Sequence, residues 1–283
     1  MRYFKLIIIC FCLWVMGCSK SNDKNVTHAP VPISTPTPTD TTYNIRVMTY
    51  NIHHANPPST TTIINVDSAA NIIKRQQPDL VALQEVDVNT TRSGNTLNQA
   101  SEIARLAGLS YYFFGKAIDY QGGEYGVAIL SKYPMSSMIN YPLPTAAGSG
   151  GELRTLATAV ITLPGNKTVV FASTHLDAQT AETNRVMQIQ KITEILTQKT
   201  IPVILAGDFN AVPGSNIINI LDASFTRSCI SGCGFTIPTI NPTKTIDFIV
   251  FRPSDKFTVT SHNVIDEKYA SDHLPVLAVL KIK

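Results

Sequence analysis

The sequence predicts an α/β fold of two packed, mainly antiparallel β-sheets with helices on their outer faces. Three observations predict it. Short strand-like runs clearly outnumber helical patterns. Long crossovers between those runs are few. The carboxyl-terminal half has strands without helices between them, and a doubly wound parallel sheet would need a helix between most strands.

Taken in order, Ile45–Ile52 reads as the first strand, because apolar and polar residues alternate through Ile-Arg-Val-Met-Thr-Tyr. Asp67–Gln76 follows with Ala70 and Ile73 at helical spacing, and Leu80–Val86 is an apolar strand. Asn98–Ala107 carries Ile103, Leu106 and Ala107 on one helical face. Tyr111–Gly115 and Gly126–Leu130 read as strands, then Thr155–Leu163 and Thr168–Thr174. From about Thr180 to Gln198, Val186, Ile189, Ile192 and Leu196 form one helical stripe. Pro202–Ala206, Thr245–Phe251, Thr258–Val264 and Val276–Ile282 complete the strands. All are short, rich in Val, Ile, Thr and aromatics, and bounded by turn residues.

The amino terminus has a different character. Arg2 and Lys5 precede an apolar run, Leu6 through Met16, too short to span a bilayer as a stable helix. It ends in Val15-Met16-Gly17-Cys18. A small residue before cysteine after such a run resembles the lipobox of bacterial lipoproteins. That resemblance implies a signal peptide over 1–17, lipid on Cys18, and anchoring at the cell envelope, on the periplasmic face or the cell surface. An uncleaved anchor or an ordinary secretory signal is the alternative. Residues 18–43, with Pro30, Pro32, Pro36 and Pro38 among Val, Ser and Thr, read as an extended tether.

Residues 44–283 then suffice for one large domain, with no second linker and no internal repeat, and a monomer is expected. A net charge of +3 and scattered Lys and Arg neither require nor exclude nucleic acid. Once Cys10, Cys12 and Cys18 are set aside, Cys229 and Cys233 remain. An even pair in an exported protein suggests a disulfide, two free thiols being the alternative. A zinc site lacks a second ligand pair at suitable spacing.

Chemistry concentrates in six short motifs. They are Thr49-Tyr50-Asn51-Ile52-His53, Leu83-Gln84-Glu85-Val86, Thr174-His175-Leu176-Asp177, Gly207-Asp208-Phe209-Asn210-Ala211, Ile246-Asp247-Phe248-Ile249 and Ser271-Asp272-His273-Leu274-Pro275. Each sets a carboxylate, carboxamide or imidazole at the edge of an apolar, strand-like run. Rigid strands with polar tips hold ligands accurately. Oxygen ligands for a hard divalent cation, with two histidines, are the equipment of metal-assisted phosphoester hydrolysis.

Together, in this order, the motifs resemble the endonuclease/exonuclease/phosphatase superfamily, the deoxyribonuclease I-like hydrolases, over about Ile45 to Lys283. The resemblance implies a four-layered α/β sandwich and Mg²⁺ or Mn²⁺, as one or two ions. It implies that Glu85 is the principal metal ligand, with Asn51 and Asp272 on the metal side. Asp208 and Asn210 would position the attacking water and the phosphate. His273 would contact the phosphate or act as base, oriented by Asp247, and His175 would be the second active-site histidine. Arg154 and Arg92 are assigned to substrate phosphate, and Glu124 is a candidate partner for His175. Asp177 is read as a rim residue or substrate contact. His28, His53, His54 and His262 are read as surface or supporting residues. The expected activity is phosphodiester hydrolysis, on nucleic acid or on phospholipid or sphingomyelin. A phosphomonoesterase of sugar or inositol phosphates, and a non-catalytic binding lipoprotein, are the alternatives.

Overall fold

The structure is a computed structural model that describes residues 43–60 and 62–283. The signal segment, Cys18, His28 and nearly all of the tether lie outside the described residues. The chain runs β1 (Tyr43–Asn51), α1 (Val66–Gln76), β2 (Leu80–Val88), α2 (Gln99–Ala107), β3 (Tyr111–Tyr120), β4 (Gly123–Ser131), β5 (Met135–Pro142) and β6 (Thr155–Thr162). It continues through β7 (Thr168–His175), α3 (Thr183–Thr197), β8 (Val203–Asp208), α4 (Asn216–Asp222), β9 (Thr226–Arg227), β10 (Asp247–Arg252), β11 (Phe257–Val264) and β12 (Val276–Ile282).

The strands form two six-stranded sheets, in the orders β11-β12-β1-β2-β4-β3 and β5-β6-β7-β8-β10-β9. Each sheet has one parallel pair at its centre, β1 with β2 and β7 with β8, and antiparallel pairing elsewhere. A parallel pair needs a crossover, and α1 and α3 supply the two crossovers. The predicted four-layered sandwich is the observed fold.

Burial explains why the central strands read as continuous apolar runs. Ile45, Val47, Leu80 and Ala82 of one sheet meet Ala157, Phe171, Ile204 and Ile249 of the other in the inner core. The alternate residues face outward but are also covered. Met48, Tyr50, Val81 and Leu83 pack with Ile72, Ile73 and Ile103 of α1 and α2. Val170, Ala172 and Leu205 pack with Ile189, Ile192 and Ile217 of α3 and α4. The helix starts are sealed by side chains. Asn65 accepts from Ser68 N, Asn98 from Ser101 N, and Ser215 from Ile218 N. Each such cap stabilises by about 1 kcal/mol.

Three elements escaped the sequence reading. Strand β5 is an exposed edge whose Ser136, Ser137 and Asn140 break the apolar alternation, and its pairing slips between Ser136 and Ile139. Strand β9 and helix α4 are too short to show a period. Strand β3 also runs past the predicted Gly115 to Tyr120, because a bulge between Lys116 and Ile118 restores its pairing with β4. Cys229 and Cys233 are disulfide-bonded, with Cα atoms 5.6 Å apart.

Candidate active site

The polar tips converge where the central strands end. His175 closes β7 opposite Asp208, which closes β8, and Asp247 opens β10 opposite the same Asp208. Gly207 is required by this close approach, since a Cβ there would fall 2.2 Å from the Thr174 carbonyl oxygen. In the other sheet Asn51 ends β1 opposite Gln84. Glu85 sits in a bulge of β2 between Leu83 and Val86, at φ 57°. A left-handed non-glycine residue is costly and persists only where the surroundings fix it. Here it turns the carboxylate toward the site while Leu83 and Val86 stay fully buried.

Asn51 ties the two sheets together. Its Nδ2 donates to Glu85 Oε1 at 3.0 Å and to Asp208 Oδ2 at 3.1 Å. Its Oδ1 accepts from the His53 backbone N–H at 3.1 Å. The carboxamide therefore turns its N–H groups to the carboxylates. Asn51, expected on the metal side, stands between Glu85 and Asp208 and donates to both. Ser271 Oγ donates to the Asn51 carbonyl at 2.7 Å and accepts from His273 N at 3.2 Å, which fastens the last loop to the first strand.

His273 lies between two buried carboxylates. Its Nδ1 is 3.0 Å from Asp247 Oδ2, and its Nε2 is 3.6 Å from Asp208 Oδ2. Burial alone would push this imidazole down, but the charges of Asp247 and Asp208 outweigh it and raise the pKa to about 10. Asp208 moves in the unusual direction for a carboxyl. Burial and the charge of Asp247 raise it to about 7, against the pull of His273 and the Asn210 N–H, 2.8 Å from Oδ1.

His175 is the electrostatic opposite. Burial and the adjacent Arg154 push its pKa well below the ordinary value, so it is neutral. Arg154 Nη1 can only donate, at 3.3 Å to Nδ1. His175 Nε2 faces Asp208 Oδ2 at 3.5 Å and the Asn210 Nδ2 amide, also a donor, at 3.1 Å. Arg154 itself is buried and also paired with Glu152 at 3.0 Å. It lines an open pocket of about 400 Å³ with Glu152, Asp177, Gln179 and Thr180.

The donor set fits a divalent cation. Glu85 is the anionic donor. Burial would raise its pKa, but the neighbouring His54 and the Asn51 amide N–H hold it well below the usual carboxylate range.

Other expected residues fall elsewhere. Asp272 joins neither of the two groups of potential ligands that the described residues form, His53, His54 and Glu85, or Asp208, Asp247 and His273. Arg92 turns Nε and Nη2 to buried Asp87, at 2.7 and 2.9 Å, and lies over Tyr120. The phosphate contact expected of Arg92 gives way to this structural pairing. Glu124 faces Lys116 at 3.3 Å on an exposed hairpin and is not the partner of His175. Asp177 is buried and shapes the pocket wall through Gln179 N and Asn184. His262 meets Ser228 Oγ. His53 and His54, read from the sequence as surface or supporting residues, lie beside Glu85.

A model of the endonuclease/exonuclease/phosphatase family matches residues 48–273. The chain belongs to that family. Solved structures with the family fold include an endonuclease/exonuclease/phosphatase from Beutenbergia cavernae, at 24% identity over 84% of this chain and 72% of that one, TM-score 0.71. A mannosyl-6-phosphatase from Bacteroides thetaiotaomicron matches at 18% identity over 83% and 99%, TM-score 0.67. The catalytic domain of human Nocturnin, with a bound sulfate anion, matches at 22% over 85% and 95%, TM-score 0.66. No curated protein matches the chain at a significant level. Family membership makes the protein a phosphoester hydrolase by class, and members typically bind a divalent metal.

Proposed function

We propose that this endonuclease/exonuclease/phosphatase family protein is a metal-dependent phosphodiesterase. The observation that carries the reading is the setting of Asp208, a buried carboxyl with a pKa near neutrality, flanked by one charged and one neutral histidine. A base works best when its pKa lies near the operating pH. Asp208 takes a proton from water as the water oxygen bonds to phosphorus and the ester P–O bond breaks. The His273 imidazolium donates to the phosphoryl oxygens on which charge grows, and His175 and the Asn210 carboxamide beside it help to position the phosphate. Asp247 keeps His273 charged, and burial with the adjacent Arg154 keeps His175 neutral. A divalent cation held by Glu85 would add Lewis-acid polarisation of a phosphoryl oxygen.

A diester substrate is favoured by the thin cationic complement. Among the described residues Arg154 is the guanidinium that meets His175, and Glu152 already shares it. That suits a monoanionic diester better than a dianionic monoester. The polar pocket beside Arg154 is the observation that favours a second reading, a sugar-phosphate monoesterase, because its volume suits a small polyol. Paired diester and monoester substrates, assayed with metal and with EDTA, decide between them. Asp208→Asn should lower kcat on the true substrate by at least 10²-fold, on the order of an oxyanion-donor loss. Near-unchanged turnover would remove the proposal.

We further propose that the protein is exported and lipid-anchored through Cys18. The motif Val15-Met16-Gly17-Cys18 supports this. Cys18→Ser should move the protein from the membrane fraction to the soluble one, and intact-mass measurement should lose the acyl increment.

A further inference from the structure

The pocket beside Arg154 is held together by its own hydrogen bonds. Glu152 comes to it from the connection between β5 and β6, and Asp177, Gln179 and Thr180 from the chain that leaves β7 after His175. Asn184, near the start of α3, fastens the two segments. Its Oδ1 accepts from Ala146 N at 2.9 Å, and its Nδ2 donates to Ser149 Oγ at 3.0 Å. Gln179 Nε2 donates to the Gly150 carbonyl at 3.0 Å and closes the rim. Buried Arg185 donates from Nη1 to the carbonyls of Asp177 and Gln179 and fixes that turn. Gly151 is needed for the fit, since a Cβ there would fall 2.5 Å from Asp177 Oδ2 and 2.1 Å from Asn184 Nδ2.

The chemistry of the lining is narrow. Carboxylates stand at Glu152 and Asp177, with the Arg154 guanidinium, the Gln179 carboxamide and the Thr180 hydroxyl, and Ala178 adds only a methyl group. The described lining offers no aromatic ring on which a base could stack. It has no apolar wall to take an acyl chain. Two carboxylates against one guanidinium disfavour a second anionic group. Hydroxyl groups suit it, because each can donate to a carboxylate or carboxamide oxygen and accept from an N–H. Arg154 has donors to spare. Its Nη1 meets both His175 and Glu152, while Nε is buried without a partner. Arg154 reaches both His175 and the pocket, so a group seated there can belong to the molecule that carries the phosphate. A volume of about 400 Å³ lies within the range of small-molecule sites.

We propose that this pocket is the subsite for the alcohol part of the substrate and selects the phosphoester of a polyhydroxy alcohol of hexose size, with Glu152, Gln179 and Thr180 as the specificity-determining side chains. Asp177 and Arg185 fix the wall from which Gln179 and Thr180 project. The proposal rests on the phosphoester-hydrolase reading and adds the identity of the esterified alcohol, whether the ester is a diester or a monoester.

The test uses the full-length protein with divalent metal and matched pairs of esters. One member is a hexose 6-phosphate, as its methyl diester and as the monoester, for glucose, mannose and galactose. The other is the cyclohexylmethyl phosphate of the same form, which keeps the ring and loses the hydroxyls. Phosphorus NMR follows cleavage of either ester bond. For the best hexose, kcat/KM should exceed that of its partner at least about 10-fold. In the triple variant Glu152→Gln, Gln179→Leu, Thr180→Val that ratio should fall about 10-fold or more, carried by KM. Thermal melts check that the variant folds. Thr180→Val alone, at an exposed position, should lower the ratio about threefold and stands in if the triple variant does not fold. Equal kcat/KM within every pair, or a ratio that the variants leave unmoved, overturns the inference and leaves the hydrolase reading standing. Calorimetry in EDTA covers a protein that cleaves none of the esters. Hexose phosphate binding that the triple variant loses would then uphold the subsite and defeat the hydrolase reading, and no binding would overturn the subsite as well.

Discussion

Asp247→Asn changes one oxygen to an N–H₂ group and removes the charge that governs two neighbours. In the native site Asp247 meets His273 Nδ1 at 3.0 and 3.2 Å, is almost fully buried, and is the partner most responsible for raising that imidazole to about 10. The full distance from about 10 to the ordinary value of 6.5 corresponds to a ceiling on the order of 5 kcal/mol. Asp208 remains 3.6 Å from Nε2 and keeps part of the effect. A fall of roughly 1–3 units is therefore expected for His273. Asp208 should fall as well, because the charge of Asp247 contributes to its rise to about 7. Both limbs of the pH profile of kcat/KM should move toward acid, the basic limb further into the neutral range, and kcat at pH 8 should drop by about 10²-fold or more. Histidine-selective NMR titration of the EDTA-treated protein reads the His273 shift directly. A His273 titration unmoved by Asp247→Asn, with both kinetic limbs in place, would refute the electrostatic reasoning.

The same pair sets a stability slope. The folded pKa of His273 lies above its unfolded value, so its contribution is complete below about pH 6.5 and is lost as pH rises through about 10. The Tm of the EDTA-treated protein should fall across that window, and a flat Tm would contradict it. Arg92→Leu should cost roughly 2–4 kcal/mol in denaturant unfolding, because it strands the buried Asp87 carboxylate with only Thr90 and Ser93. Little loss of stability would return Arg92 to the substrate side. Gly207→Ala should cost about 1–3 kcal/mol and lower kcat together, since the new Cβ forces β8 away from Thr174 and displaces Asp208. An unchanged Tm would show that the strand ends yield more easily than their contacts imply.

The sheets were legible because their central strands are covered on both faces, so Ile45–Met48, Leu80–Leu83 and Val203–Ala206 announce themselves as apolar runs. Strand β5 was not, because an exposed edge places no demand on residue type, and Ser136, Ser137 and Asn140 carry no period. The converging tips were legible for the same reason as the core: Glu85, Asp208 and Asp247 are polar residues in stretches that are otherwise apolar. Orientation was hidden. Whether Asn51 offers its oxygen or its nitrogen depends on a backbone N–H two residues away. Whether Arg92 serves substrate or scaffold depends on Asp87, five residues earlier in the chain and facing inward at the end of β2. The left-handed run at His53 and His54 has no sequence marker, since neither residue is glycine.

The two sheets have the same pattern of strand directions, with one parallel pair at the centre of each, and the carboxylates of the site divide between them. Glu85 belongs to one and Asp208 to the other; the Asn51 carboxamide spans the gap. The reaction therefore depends on a registration between two plates, as jaws depend on the alignment of a vise. A void opened between the plates at Phe171 or Ile204 touches no reacting atom, yet it would let them slip. Turnover should then report the fit of the inner core at temperatures where the fold as a whole still melts normally.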